Sequence, residues 1–214
     1  MIAEGIDDRW LDTISGVATG RALIQVDDNA ENSIVVVAGA NGFARWPSDG
    51  PTCTVALAQL EIPLASVVQA FEALRVGGCT TILNPAPAAE LSSALLAVTS
   101  VVVPNEHELK LLGGRGQLSA SGIDTLLVTR GSSGVDVYTP SASRHVDAYN
   151  VTPIDSTGAG DSFCGNLAAR LASGDQLDMA VSWAAAAGAL ATTTTGAVPS
   201  LPLASATRAL VEST

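Results

Sequence analysis

Positive charge is scarce in this sequence: ten Lys and Arg stand against 21 Asp and Glu, for a net charge of −11. No basic footprint exists for a nucleic acid or an anionic membrane, so neither is expected as a partner. Cysteine is nearly absent too. Cys53, Cys79 and Cys164 are odd in number, widely spaced and without a CxxC pair, which argues against zinc or redox roles. They read as buried free thiols in a reducing cytoplasm. No apolar run reaches the ~18 residues of a membrane span; the longest lies around Ala184 to Ala191. The opening residues, Met1 to Asp8, carry neither a basic patch nor an apolar stretch, so no signal peptide is expected and the location expected is cytoplasmic. Aromatics are only 4%, and His107, His145, Trp46 and Trp183 read as surface or packing groups rather than catalytic or adenine-stacking ones.

What remains is an apolar, small-residue chain. Of 214 residues, 47% are hydrophobic and 14% charged, enough for one sizeable core. Ala22–Val26 and Ser33–Val37 flank the polar turn Asp27-Asp28-Asn29-Ala30, a hairpin signal. From Thr54 the texture alternates between short apolar strands and helices: strands at Thr54–Leu60, Thr80–Leu83, Ser100–Val103 and Asp124–Thr129, helices at Pro63–Arg75 and Glu106–Leu112. A β-rich stretch follows through Val135–Tyr138 and Arg144–Val146, then helices at Asp161–Ala172, Leu177–Leu190 and Leu203–Val211. The pattern predicts an α/β fold with an open, mostly parallel sheet. Ligands of such sheets bind beyond the carboxyl ends of the strands. Asn84-Pro85, Asn105, Thr129-Arg130-Gly131 and the Asp155 loop all fall there.

The segment Asp155-Ser156-Thr157-Gly158-Ala159-Gly160-Asp161 stands directly before a helix. Gly158, Ala159 and Gly160 let a ligand approach the backbone, and free amides of the helix's first turn bind anions. An acid beside a phosphate cradle repels the phosphate, yet it is what a kinase needs to take the proton of an attacking hydroxyl. The same Asp also reads as a plain helix cap, and from this loop alone both readings stand.

Further segments carry a resemblance. Thr129-Arg130-Gly131-Ser132-Ser133-Gly134 looks like a TxGxxG nucleotide loop, Asn105-Glu106-His107-Glu108 like an NxxE motif, and Asn84-Pro85-Ala86-Pro87 like the segment upstream of it. With the Asp155 loop, Gln59-Leu60-Glu61 and Gly196-Ala197-Val198-Pro199-Ser200, in this order, the chain resembles the ribokinase-like (PfkB-type) carbohydrate kinases over nearly its whole length, ribokinase most closely. The resemblance implies a Rossmann-like three-layer fold and an ATP-dependent sugar kinase, with ribose the expected acceptor. It assigns Asp161 as general base and Gly158, Ala159 and Gly160 as the anion hole. Asn105, Thr129, Gly131, Ser132, Gly134 and Gly160 would line the ATP site, and Glu61 with Asp161 would hold the sugar. Glu108 would organise Mg²⁺ through water, because Mg²⁺ dehydrates reluctantly. The carbonyl-rich site that holds K⁺ or another monovalent cation in such kinases maps onto Asp155, Thr157, Ala191, Thr194, Gly196 and Ser200.

The chain departs from that family in places. The resemblance leads to the expectation of one domain over 1–214 that lacks the usual N-terminal segment, with its Asp-bearing strand and Gly-Gly/Asn sugar clamp. Met1–Asp8 resembles the helix end that follows those elements. The hairpin at about 20–40 looks like half of a small β lid, whose open edges invite a homodimer. Between Leu112 and Asp124 a family helix is expected to be missing, only Gly113–Ile123 remaining. Asn166 replaces a small residue, and Ala185 stands where an Asn or His is common near adenine. The alternatives to a ribose kinase are a catalytically impaired nucleotide-binding remnant and a relative acting on a nucleoside or a sugar phosphate.

Overall fold

A computed structural model describes residues 5–26, 32–123 and 125–213. Two sheets form. β1 (Arg21–Val26) and β2 (Asn32–Val37) pair antiparallel as a separate hairpin; its turn, Asp27 to Ala30, lies outside the described residues. The main sheet has six strands in chain order: β3 (Val55–Ala58), β4 (Thr80–Leu83), β5 (Val101–Val102), β6 (Thr125–Thr129), β7 (Val135–Tyr138) and β8 (Ser143–Val146). β3 through β6 pair parallel, and β7 and β8 add antiparallel.

Alternation along the strands makes the sheet the middle of three layers, because successive side chains leave opposite faces. Ile82, Val101, Val103 and Leu127 pack with Phe163, Leu167, Val181 and Ala184. These belong to α5 (Ala159–Ala172) and α6 (Leu177–Ala191). Their neighbours Leu83, Val102, Leu126 and Val128 face the other way, onto α1 (Leu64–Val76), α2 (Ser93–Ala97) and α4 (Gly114–Ala120). Right-handed crossovers between parallel strands put all of these crossover helices on one face. α3 (Glu106–Leu111) leads into α4, and α7 (Ala204–Glu212) closes the chain against α6. α5 and α6 cross closely at a glycine: a Cβ on Gly188 would stand 3.3 Å from the Ala159 carbonyl.

Most sequence-expected elements occur within a residue or two, and the differences have physical causes. α4 fills the segment expected to have lost its helix. Gly113 takes a left-handed turn (φ 84°), and buried Leu118 anchors the new helix beside Leu126 and Val128. α2, capped by the Ser92 hydroxyl, is an addition to the elements expected from the sequence. α5 begins at Ala159 rather than Asp161, since left-handed Gly158 is its N-cap. Residues 5–8 form a turn and irregular chain rather than a helix end, and Met1–Glu4 and Asp124 lie outside the described residues. The thiols differ from expectation as well: Cys79 and Cys164 are buried, but Cys53 is exposed.

Candidate active site

Each parallel strand hands a polar residue to the crevice at its carboxyl end. Gln59 follows β3, Asn84 follows β4, and Asn105 lies beyond β5, bridged to Thr129 at the end of β6. These side chains form a chain of contacts. The Val103 carbonyl accepts from Asn84 Nδ2 at 2.8 Å, and Asn84 Oδ1 accepts from Gln59 Nε2 at 3.4 Å. Gln59 Nε2 also donates to Asp161 Oδ1 at 2.8 Å. Asp161 therefore stands exposed at the mouth of the crevice, its carboxylate held toward the strand ends. Gln59 and Asn84 were visible in the sequence only as parts of motifs. The contact of Gln59 with Asp161 spans 102 residues, and no local pattern carries it.

The bend before Asp161 leaves amides open. Ala159 N–H donates to Ser156 O and Ser162 N–H to Gly158 O, whereas no acceptor among the described residues takes the Gly160 or Asp161 amide. Those amides sit at the positive end of a 14-residue helix, where an anion is stabilised. Gly158 supports the bend with φ 78°, and an added Cβ would lie 3.1 Å from Ala197 Cα.

Asn105 and Glu108 engage each other. Asn105 Oδ1 accepts from the Glu108 amide and Glu108 Oε2 from the Asn105 amide, each at 2.8 Å, a capping box on α3. Burial raises the Glu108 carboxyl above its usual range, against the pull of the Asn105 amide and of His107. Asp161 and Glu108 also share a neighbourhood. The Cys164 thiol is pushed up to about 12, first by burial, then by the charges of Asp161 and Glu108.

The loop after β6 is a tight 3-10 turn, Gly131–Ser133, closed by Arg130 N–H to Gly134 O at 2.8 Å. Gly131 (φ 54°) and Gly134 (φ 87°) supply the conformations it needs, and Ser132 lies between them. Arg130, a variable position of the expected motif, ties this loop to its surroundings through Glu106 at 2.8 Å and Asp136 at 3.1 Å. His145 joins at 2.6 Å from Asp136 and so has a partner away from the crevice. Trp183 and Trp46 pack, as expected. The Trp183 indole donates to Asn166 and lies under Arg170, while the Trp46 ring lies where a Gly50 Cβ would be, 2.5 Å away. Glu61 is exposed, two residues beyond Gln59.

The positions expected around a monovalent cation converge as two loops. Ile154 and Asp155 amides donate to Thr192 O at 2.7 and 3.1 Å, and the Gly196 amide donates to Asp155 Oδ2 at 2.8 Å. The Thr157 side chain, then the Gly196 amide and the Thr157 amide, hold the Asp155 carboxyl below the usual aspartate range. Ser200 is buried, its hydroxyl donating to Ala197 O at 2.8 Å, and Ala191 is buried where α6 ends. Thr194 lies between them in the turn after α6. No group of three or more His, Cys, Asp or Glu among the described residues is arranged to hold a metal ion. The groups these loops bring together are backbone amides and carbonyls, hydroxyls and the single Asp155 carboxylate.

Known proteins share both sequence and fold. The model of the pfkB family carbohydrate kinases matches residues 1–204. A ribokinase of Staphylococcus aureus is 36% identical over 218 residues, covering 92% of this chain and 71% of its own. One of Haemophilus influenzae is 35% identical, covering 93% of this chain and 71% of its own. The structure of Arabidopsis thaliana ribokinase complexed with ribose and ATP superposes with a TM-score of 0.81 at 26% identity, over 92% of this chain and 70% of that one. This chain belongs to the PfkB family of carbohydrate kinases, as an ATP-dependent carbohydrate kinase of the ribokinase fold.

Proposed function

We propose that the protein transfers the γ-phosphoryl group of ATP to a hydroxyl of ribose, with Asp161 as general base. One observation carries the assignment: Asp161 projects from the first turn of α5, beside two unclaimed amides, and is held by Gln59 at the strand-end crevice. The Gly160 and Asp161 amides, with the bend of Gly158 and Ala159, receive the charge that develops on the transferring phosphoryl group. Preorganised donors of this kind act without reorganising during reaction. Asp161 accepts the proton of the attacking hydroxyl, and Gln59 and Asn84 hold its carboxylate in line. Glu61 binds a sugar hydroxyl from the end of β3, while Thr129, Gly131, Ser132 and Gly134 line the nucleotide with Asn105.

Glu108 would hold the Mg²⁺ that accompanies ATP, through water, and the ion would supply charge neutralisation there. The carbonyl-rich pocket around Asp155, Thr157, Ala191, Thr194, Gly196 and Ser200 suits K⁺ or another weakly hydrated cation, because Asp155 is already committed to backbone amides. The hairpin, with Leu23, Val35, Val36 and Val37 exposed, serves within the same domain as part of a lid and as a surface for a second copy of the chain. A cytoplasmic location fits the same proposal.

The test is a coupled ADP-release assay with Mg²⁺, with and without K⁺, across ribose, 2-deoxyribose, a nucleoside and a sugar phosphate. Ribose is expected to give the highest kcat/KM. Turnover only with a nucleoside or sugar phosphate would reassign the substrate. ATP binding without turnover on any acceptor would make the protein a nucleotide-binding remnant.

A further inference from the structure

Two thiols meet at the end of the sheet opposite the kinase crevice. Cys53 precedes β3 and Cys79 precedes β4, and the parallel register pairing Val55 with Thr80 brings their chains side by side. The Thr80 amide donates to Thr54 O at 2.9 Å, which holds the two strand entrances together. The sulfur atoms stand 3.6 Å apart, although 26 residues separate them in sequence. Their environments differ. Cys79 is 5% exposed, whereas Cys53 is open to solvent. Cys53 also lines a surface groove of about 240 Å³ with Trp46, Asp49, Gly50 and Leu74, roomy enough for a small oxidant. No third His, Cys, Asp or Glu among the described residues joins the pair into a metal site.

We propose that Cys53 and Cys79 form a reversible dithiol–disulfide site, closed by a peroxide and reopened by thiols. Cys53, the accessible sulfur, attacks one peroxide oxygen; the O–O bond breaks, the departing oxygen leaves as water with the thiol proton, and Cys53 becomes a sulfenic acid. Cys79 then displaces that hydroxyl, forming the S–S bond and releasing a second water. The two thiols together supply the two electrons that reduce the peroxide. The order follows from accessibility; burial, then Cys53, also push the Cys79 thiol up to about 12, which leaves little Cys79 thiolate to react first. Closing the bond needs the sulfurs to approach by roughly 1.5 Å, to about 2.05 Å, within reach of side-chain rotation. The bond would staple the segment leading out of the hairpin to the base of β4. It leaves the Asp161 crevice untouched, so the site is independent of the phosphoryl-transfer proposal.

The test treats the full chain, folded, with hydrogen peroxide, then unfolds it in iodoacetamide and digests it with trypsin. The expected product is a dithiothreitol-sensitive link between peptides 46–75 and 76–110. It should appear with a mass loss of about 2 Da and in at least roughly half of the molecules before Cys164 is modified. Cys53→Ser should abolish it, and Cys79→Ala should leave a Cys53 sulfenic acid that dimedone traps. Should wild-type Cys53 instead proceed to sulfinic acid while Cys79 remains free to alkylate, the proposal is wrong. A link that forms only after unfolding would overturn it equally.

Discussion

Gly134 offers the sharpest structural prediction, because space and backbone both exclude a side chain there. Its φ of 87° and ψ of −143° lie in a region essentially reserved for glycine. A Cβ built at this position would stand 2.1 Å from Val146 O, 2.9 Å from Ala148 N and 3.0 Å from Asp147 C. All three are backbone atoms, so no side-chain rotation relieves the clash. Holding a non-glycine residue in that conformation costs about 1–3 kcal/mol, and shifting the end of β8 adds to it, for a total of about 3 kcal/mol or more. In a chain of this size each kcal/mol lowers Tm by about 2–4 °C, so Gly134→Ala should lose roughly 10 °C. Gly131→Ala is the internal control. Gly131 also has positive φ, 54°, but nothing lies within 4 Å of its Cβ position. Its loss should be near 1 kcal/mol, or about 2–4 °C. Differential scanning calorimetry reads both, and ADP titration should show nucleotide affinity weakened about 10-fold or more in Gly134→Ala. Equal Tm losses in the two variants, or an unaffected Gly134→Ala, would refute the steric account of this loop.

Other expectations follow from single contacts. Gln59→Leu removes the donor that holds Asp161, a charge-assisted hydrogen bond of about 1.5–3 kcal/mol, and should lower kcat about 10-fold or more while KM for ATP stays within about 2-fold. A fall in kcat joined by a marked rise in KM for ATP would show that Gln59 acts on the fold instead. Glu108 is raised by burial, so its contribution to stability is complete below its usual value of 4.5 and is lost as pH climbs through the higher folded-state value. Glu108→Gln keeps an acceptor for the Asn105 amide and should flatten that decline with rising pH in urea unfolding, while raising the Mg²⁺ concentration needed for activity. Asp155 behaves oppositely. Its lowered carboxyl stabilises the fold above 3.8, and that support disappears as pH falls through the depressed value. Asp155→Ala frees the Thr157 and Gly196 amides and should weaken or abolish any K⁺ activation in the coupled assay.

Local pattern carried much of this architecture and little of its long-range detail. Thr80–Leu83 and Val135–Tyr138 read as strands with the observed bounds, because short apolar runs between glycine and proline signals leave few alternatives. The closure of Asn105 and Glu108 into a capping box is visible only in the fold, and the pair itself was legible only as a family motif. α4 was not, since Gly113, Gly114 and Gly116 argue against helix and only the tertiary anchor of Leu118 outweighs them. The Gln59–Asp161 contact and the Cys53–Cys79 pair depend on which strands become neighbours. That is decided by packing, not by any sequence window.

Proton transfer from the acceptor to the Asp161 carboxylate, beside the amides of α5, is the step on which the proposed kinase chemistry turns. Steady-state kinetics of Asp161→Asn with ATP and ribose, alongside calorimetric ADP binding, address it most directly. The expected result is a fall in kcat of about 100- to 10,000-fold with ADP affinity within a few-fold of wild type. An Asp161→Asn enzyme that turns over within about 3-fold of wild type would contradict it.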